Sequence, residues 1–409
     1  MRLLYLADVR MPIERANGIQ TIETCHALAR AGHEVTLLAR PDTSSPARDP
    51  LEFYGLPAHP RLAIARIRPA IHAPAIASAP GVARGLEHWR RLRYLVAALG
   101  WTLGRRSADV VFTRDLGVAS LLLRIPRSWR PPLVYESHGF APAVSHELGT
   151  LLSNGVGGTT RKQRRLARRE LRVWRLADGY VTITASLAER LRRELGDRPH
   201  VAVVPDGARV EPPGARDAVP SRGALVVGYA GHLYPWKGVD VLVDALARLP
   251  DVRGLIIGGH PKERDLARIR ASVAEHRLEG RVDVRGPVAP PDVATALGAA
   301  DVLVLPNRRT TLSSEATSPL KLFEYLALGK PIAVSDLPAL REVVDEQVAE
   351  LVPPDDAEAL AAAIGRLAAD PARRAVLGQR AAALAANFTW DRRAERLTTL
   401  FSSVTGTAR

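Results

Sequence analysis

Residues 3–39 read LLYLADVRMPIERANGIQTIETCHALARAGHEVTLLA, and their pattern decides the fold class. Leu3–Ala7 is an unbroken apolar run of the kind a buried parallel strand needs. Pro12 and Gly18 punctuate a loop, a helical pattern runs from Gln20 to Ala31, and Gly32 ends it. Val35–Ala39 is then a second buried strand. Strand, helix and strand in 37 residues make a β-α-β unit, which implies a parallel sheet covered by helices on both faces. The first turn lacks G-x-G-x-x-G, so it carries no dinucleotide fingerprint. Gly18 at the helix start suits an anion or a substrate hydroxyl, and equally suits a plain turn.

The alternation continues outward. Residues 41–88, rich in Pro and Ala, read as loops and short elements. Ala108–Thr113, Leu133–Glu136, Tyr180–Thr184 and Val201–Val204 read as further strands. Residues 206–222 carry Gly207, Pro212, Pro213, Gly214 and Pro220, the composition of a linker. The design then restarts with Leu225–Ala230, a glycine-containing loop reaching Lys237, a helix over Val239–Leu249, and strands at Leu255–Ile257, Val282–Val284, Val302–Pro306 and Ile332–Val334. The expected organisation is α/β: a first Rossmann-like domain over 1–205 and a second over 223–388. The closing helix, within 389–409, is expected to pack back on the first. At 409 residues, two cores are also the natural expectation.

Ser318-Pro319-Leu320-Lys321-Leu322-Phe323-Glu324 opens another helix, with Ser318 as cap, Pro319 at the first helical position, and Gly329 and Pro331 as the stop. Free N–H groups and the positive end of the dipole suit a phosphate there. Glu324, one turn past Lys321, can accept from sugar hydroxyls. A capped surface helix with ordinary charges fits the stretch alone as well. The chain has only five lysines against 52 arginines, so lysines in a strand-end loop (Lys237) and at a helix start (Lys321) stand out. His138 follows a strand's carboxyl end, where open α/β sheets place ligands.

Residues 1–210 hold 32 Lys and Arg against 18 Asp and Glu, whereas residues 211–409 hold 25 of each. The net charge of +14 therefore sits wholly in the first half, which is where an extended anionic partner would bind. At 100° per residue, Arg161, Arg164, Arg165, Arg168, Arg172 and Arg175 share one helix face, opposite Leu166, Ala167, Leu171, Val173, Trp174 and Leu176. That face is either solvated or drawn to an anionic membrane surface. No aromatics for base stacking are interleaved with it, which argues against nucleic acid. Arg90–Arg106 brackets a second apolar run, too short to span a bilayer but compatible with lying on one. No run approaches the ~18 apolar residues of a span, no signal-peptide pattern opens the chain, and the single Cys25 favours a reducing compartment. A cytoplasmic protein is expected, at most peripheral at the inner membrane face.

In this order and spacing the motifs resemble glycosyltransferase family 4, whose members have the two-Rossmann GT-B fold. The resemblance rests on Ala31-Gly32-His33-Glu34-Val35-Thr36, Tyr135-Glu136-Ser137-His138, Val203-Val204-Pro205-Asp206-Gly207, Lys237-Gly238-Val239-Asp240, Ala300–Pro306 and Glu324–Pro331. It implies retaining transfer from a nucleoside diphosphate sugar to a glycan, lipid-linked or small-molecule acceptor, with no metal or other cofactor. The implied donor contacts are Gly18, Gly231, His232, Lys237, Ser318, Pro319, Leu320, Lys321 and Glu324. Lys237 would neutralise the diphosphate, Glu324 would hold the ribose, and His138 would line the sugar and acceptor side. Two positions depart from the family pattern. Ala316 stands where a second glutamate is common, with Glu315 one residue off as the candidate substitute, and His232 stands where Arg is frequent. Cell-envelope polysaccharide or glycolipid synthesis is the expected setting. The alternatives are a small soluble natural-product acceptor and a nucleotide-sugar-binding protein that has lost transfer.

Overall fold

The computed structural model describes residues 1–44, 46–67, 80–105, 107–152, 160–210, 223–259, 264–315 and 319–406. The first sheet contains β1 (Arg2–Arg10), β2 (Glu34–Arg40), β3 (Leu62–Arg66), β4 (Val110–Thr113), β5 (Leu133–Ser137), β6 (Gly179–Thr182) and β7 (Val201–Val203). All pairs are parallel and the spatial order is 3-2-1-4-5-6-7. The second sheet contains β8 (Leu225–Gly231), β9 (Val252–Gly258), β10 (Val282–Arg285), β11 (Val302–Leu305), β12 (Ile332–Ser335) and β13 (Glu350–Val352). Its order, 10-9-8-11-12-13, repeats the same doubly wound plan. Each order reverses once, between β1 and β4 and between β8 and β11. A crevice opens there at the carboxyl ends of the strands.

The strands form where the sequence is apolar on both sides, because helices cover both faces. Leu3, Tyr5, Val35 and Leu37 join one cluster with Ile22, Cys25 and Leu28 of the helix Ala16–Arg30. Leu4, Leu6 and Leu38 join another with Tyr94, Val173 and Trp174. The closing helix, Trp390–Gly406, buries Trp390, Leu397, Phe401 and Val404 in the first cluster and so lies on the first sheet. At about 1.5–3 kcal/mol per buried large side chain, that apolar face anchors the chain's end firmly.

Residues 41–88, expected to hold loops and short elements, contribute the short helix Pro50–Phe53, the edge strand β3, whose half-buried positions blur its pattern, and, against that expectation, the start of the 25-residue helix Pro80–Gly104. In the Arg-rich helix, Thr160–Leu176, the arginines 161, 164, 165, 168 and 175 are exposed and Arg172 is half-buried. Leu176 leaves the apolar face: it is 53% exposed because the helix ends there. Glu170, the one acid in this helix, points inward to Tyr180 Oη and the Ala141 N–H. The helix expected after Ser318 spans Leu320–Ala327, so Pro319 is its N-cap residue and precedes the first helical position. Ser318 and Ala316 lie outside the described residues.

Residues following strand carboxyl ends tie the two domains together. Glu147 accepts from the N–H groups of Thr311 (2.7 Å) and Leu312 (2.8 Å), at the start of the short helix Thr311–Glu315. Reciprocally, Glu342 accepts from the N–H groups of Ala185 (2.6 Å) and Ser186 (2.8 Å), at the start of the helix Ala185–Leu195. Each domain thus caps a helix of the other. Thr184 Oγ1 adds a bond to the Glu315 carbonyl, and Leu320 packs into the first domain's cluster. The carboxyl-end edges of the two sheets face one another.

Candidate active site

On the second domain the site grows from the β8–loop–helix turn. Gly231 has φ +144°, and a Cβ there would lie 1.5 Å from Lys321 Cε. Only glycine lets the Lys321 chain pass. His232, Tyr234 and Trp236 stack in series, with ring centroids 4.9 and 4.7 Å apart, and brace the loop that delivers Lys237. Gly238, φ +66°, follows so closely on Pro306 that a Cβ would meet its carbonyl oxygen at 1.8 Å. The loop is thus wedged against the end of β11.

Burial and the Lys321 cation push Lys237 down to about 7. Burial lowers Lys321 too, with Glu324 offsetting part of the shift. Burial raises Glu324, against the pull of Lys321 and Arg209. Arg209 reaches Glu23 of the helix Ala16–Arg30 (Nε–Oε1 2.6 Å) and the Tyr54 carbonyl (2.6 Å). Charge therefore alternates across the cleft from Lys321 through Glu324 and Arg209 to Glu23. Two half-buried ammonium groups, close enough for one to lower the other, are costly without an anion.

On the first domain, the fully buried Glu136 gathers donors. Its Oε1 accepts from Gln20 Nε2 (2.7 Å) and His138 Nε2 (2.6 Å), and its Oε2 from Arg393 Nη2 (2.6 Å). Arg114 in turn donates to Gln20 Oε1 (2.6 Å). Burial pushes the Glu136 carboxyl up, but Arg393 and His138 outweigh it and hold the pKa at about 2. Burial and Arg114 push His138 down more than Glu136 pulls it up. A neutral imidazole against an ionised carboxylate must carry its proton on Nε2, leaving Nδ1 as an acceptor. His138 keeps 24% of its side chain exposed. Gly18 has a packing reason for its identity: a Cβ would lie 2.3 Å from Tyr54 Oη, which bonds Ile13.

Glu315 is held by the first domain. Its carboxylate pairs with Arg190 and its carbonyl with Thr184. The expected substitute for a glutamate at position 316 is therefore engaged as an interdomain strut. A cavity of about 630 Å³ lies at the opposite end of the first sheet, lined by Arg124, Arg127, Arg130, Arg175 and Arg198. There Arg127 and Arg130 are taken up by Asp178, and Arg198 by the carbonyls of Trp174 and Ala177. It lies apart from the strand ends that carry the site.

The family described as Glycosyltransferase Family 4 matches residues 18–211, and that described as Glycosyl transferases group 1 matches residues 224–370. The chain belongs to glycosyltransferase family 4. A D-inositol 3-phosphate glycosyltransferase of Xylanimonas cellulosilytica is 29% identical over 95% of this chain and 91% of that one. Sucrose-phosphate synthase of Thermosynechococcus elongatus has the same fold, with a TM-score of 0.76 and 22% identity over 100% of both chains. Anabaena HepE, solved with UDP, superposes with a TM-score of 0.69 and 17% identity, over 98% of this chain and 100% of that one. The fold is GT-B, and the protein is an enzyme of glycosyl transfer.

Within this family-4 chain, the structure brings Gly231, Lys321, Lys237 and Glu324 together on one side and His138 on the other. Sequence reasoning missed Gln20, Arg114, Arg209 and Arg393. Glu136 stood inside a quoted motif without a role. Its alternating position in β5 was a signal: a carboxylate in a fully buried strand demands a cationic partner.

Proposed function

We propose that the protein transfers a sugar from a nucleoside diphosphate sugar, with retention at the anomeric carbon and without a metal. The observation that carries this is the half-buried Lys237–Lys321 pair beside Glu324. The diphosphate supplies the anion that this pair lacks, and Glu324 accepts from the ribose hydroxyls. The bond between the anomeric carbon and the diphosphate oxygen breaks, and its electron pair stays on that oxygen. Lys237, Lys321 and the N–H groups at the Leu320 helix start stabilise the growing charge. The acceptor hydroxyl adds on the face the diphosphate leaves, and its proton passes to the departing phosphate oxygen. His138 lines the side from which the acceptor enters. The curated relative suggests an acceptor bearing a phosphate, so inositol phosphates come first in the screen, then lipid-linked glycans.

Purified protein with UDP- and GDP-sugars should release nucleoside diphosphate when an acceptor is present. Product NMR reads the anomeric configuration. Unchanged release from Lys237→Ala and Glu324→Ala would overturn the assignment.

The same reading places the enzyme at an anionic membrane surface. No helix among the described residues is long and apolar enough to cross a membrane. The helix Pro80–Gly104, however, leaves Trp89, Leu92 and Val96 exposed at 62, 52 and 63%, a stripe at helical spacing beside Arg90. Flotation with phosphatidylglycerol vesicles should depend on this stripe and on Arg161, Arg164, Arg165 and Arg168. Binding indifferent to anionic lipid, to polar replacement of Trp89, Leu92 and Val96, and to neutral replacement of the four arginines leaves those faces merely solvated.

A further inference from the structure

Arg393 is the most deeply buried guanidinium described, with 1% of its side chain exposed, and it lies 257 residues from the carboxylate it binds. Its donors fan over three elements. Nη2 binds Glu136 at the end of β5, and Nε binds Thr24 Oγ1 (3.0 Å) on the helix Ala16–Arg30. Nη1 binds the carbonyls of Val204 (2.9 Å) and Pro205 (3.1 Å), just past β7. Glu136, so held, presents Oε1 to His138. The chain leaves the first domain near residue 210 and builds the second. It then returns to place this one side chain behind the histidine.

We infer that Arg393 is a positioning residue for His138: by clamping Glu136 it fixes the imidazole as the neutral Nε2–H tautomer, with Nδ1 kept as an acceptor. The role in turnover rests on the transferase reading above. The placement itself does not. Three charged groups act on the imidazole from the packed elements, Glu136 on β5, Arg114 after β4 and Asp206 after β7, and Arg393 on the closing helix stands behind Glu136 and Asp206. Removing the Arg393 cation leaves Glu136 and Asp206 in excess, so His138 gains a proton more readily. Removing the Glu136 charge acts in the opposite direction and frees the tautomer. A lysine keeps the charge at position 393 but cannot reach Thr24, Glu136 and two carbonyls at once.

The test is imidazole NMR of full-length, histidine-labelled protein without substrate, with the His138 signal assigned through His138→Gln. Wild type should show neutral His138 with its proton on Nε2. In Arg393→Met the His138 titration should move up by about one pH unit. The acid limb of kcat/KM should move with it, which cuts kcat/KM by up to roughly tenfold at pH values below both titrations, as neutral imidazole is depleted, and changes it least above neutral pH. Arg393→Lys should recover part of the shift, and Glu136→Gln should lower the titration and mix the tautomers. If Arg393→Met does not fold, Arg393→Lys and Glu136→Gln are read by the same criteria. A bracing role alone would lower the melting temperature and leave the imidazole unchanged, and that result overturns the inference. A wild type with the expected imidazole but no transfer overturns the proposed function instead.

Discussion

On the first-domain side of the cleft, a buried carboxylate is surrounded by donors until its charge is balanced: Glu136 binds Gln20, His138 and Arg393. On the second-domain side, two half-buried ammonium groups lie close enough for Lys321 to depress Lys237, and Glu324 offsets part of the shift of Lys321. The first arrangement is complete without a ligand and costs most when a member is removed. The second is strained without a ligand and is relieved by an anion. One half of the site is built to hold a geometry, the other to take up charge.

Breaking the finished half should have the largest effect. Arg393→Met leaves Glu136 charged and buried with its main partner gone, a situation that costs about 3–5 kcal/mol. Burial alone would lower the Arg393 pKa, yet Glu136 and Asp206 raise it, so the pair persists across the ordinary pH range. Denaturant titration of the variant should show the loss, and the double variant Arg393→Met/Glu136→Gln should recover part of it. If the single variant matches wild type, the balance described for this half is wrong.

Breaking the unfinished half should spare stability and strike turnover. Lys237→Met removes a like-charge repulsion at a half-buried site, so the fold should be at least as stable as wild type. Donor turnover should fall by roughly 10²–10³-fold, the loss seen when one donor to a developing anion is removed. Melting and nucleoside diphosphate release on one preparation would show whether the two quantities separate. A variant that loses stability and keeps turnover reverses the comparison.

A gentler probe titrates the same half. With Lys237 near 7 in the free protein, a bound diphosphate should raise its pKa. The complex then holds a proton that the free protein has lost above that pH. UDP affinity should stay level below about 7 and decline above it by up to tenfold per pH unit, with uptake of about one proton. Calorimetry in buffers of different ionisation enthalpy measures that uptake directly. Lys237→Met should flatten the profile, and a flat profile in wild type would remove the reading.

The parallel strands were legible because apolar runs of four to seven residues, spaced by helices, permit little else. β3 and β13 escaped because their patterns are weak: β3 is half-buried along most of its length, and β13 is a three-residue strand that opens on the charged Glu350. That Lys237, Lys321 and Glu324 come close together was legible in part, because they follow strand and helix boundaries on neighbouring elements of one domain. The partners of Glu136 were not. Gln20 is 116 residues away and Arg393 257, and no local periodicity pairs positions at such separations. Glu315 shows the same limit. Its place just before the Leu320–Ala327 helix was visible, but its partner Arg190 on the other domain was not.

The two halves work only while they face each other, and the smallest predicted effect concerns what holds them. Glu342 caps the helix Ala185–Leu195 from the opposite domain, and Glu147 caps Thr311–Glu315 in return. A lost N-cap contact costs about 0.5–1 kcal/mol. Here the cost falls on the closed arrangement and not on either core, because each cap crosses the cleft. Glu342→Ala should therefore reduce kcat/KM by roughly two- to fivefold while each domain's own unfolding is unchanged. Glu147→Ala should do the same, and the double variant should multiply the two factors, since both act on one closing equilibrium. If either substitution instead lowers the stability of its own domain and leaves kcat/KM alone, the carboxylates are ordinary helix caps. The balanced and the unbalanced halves are then held together chiefly by Leu320 and the returning helix.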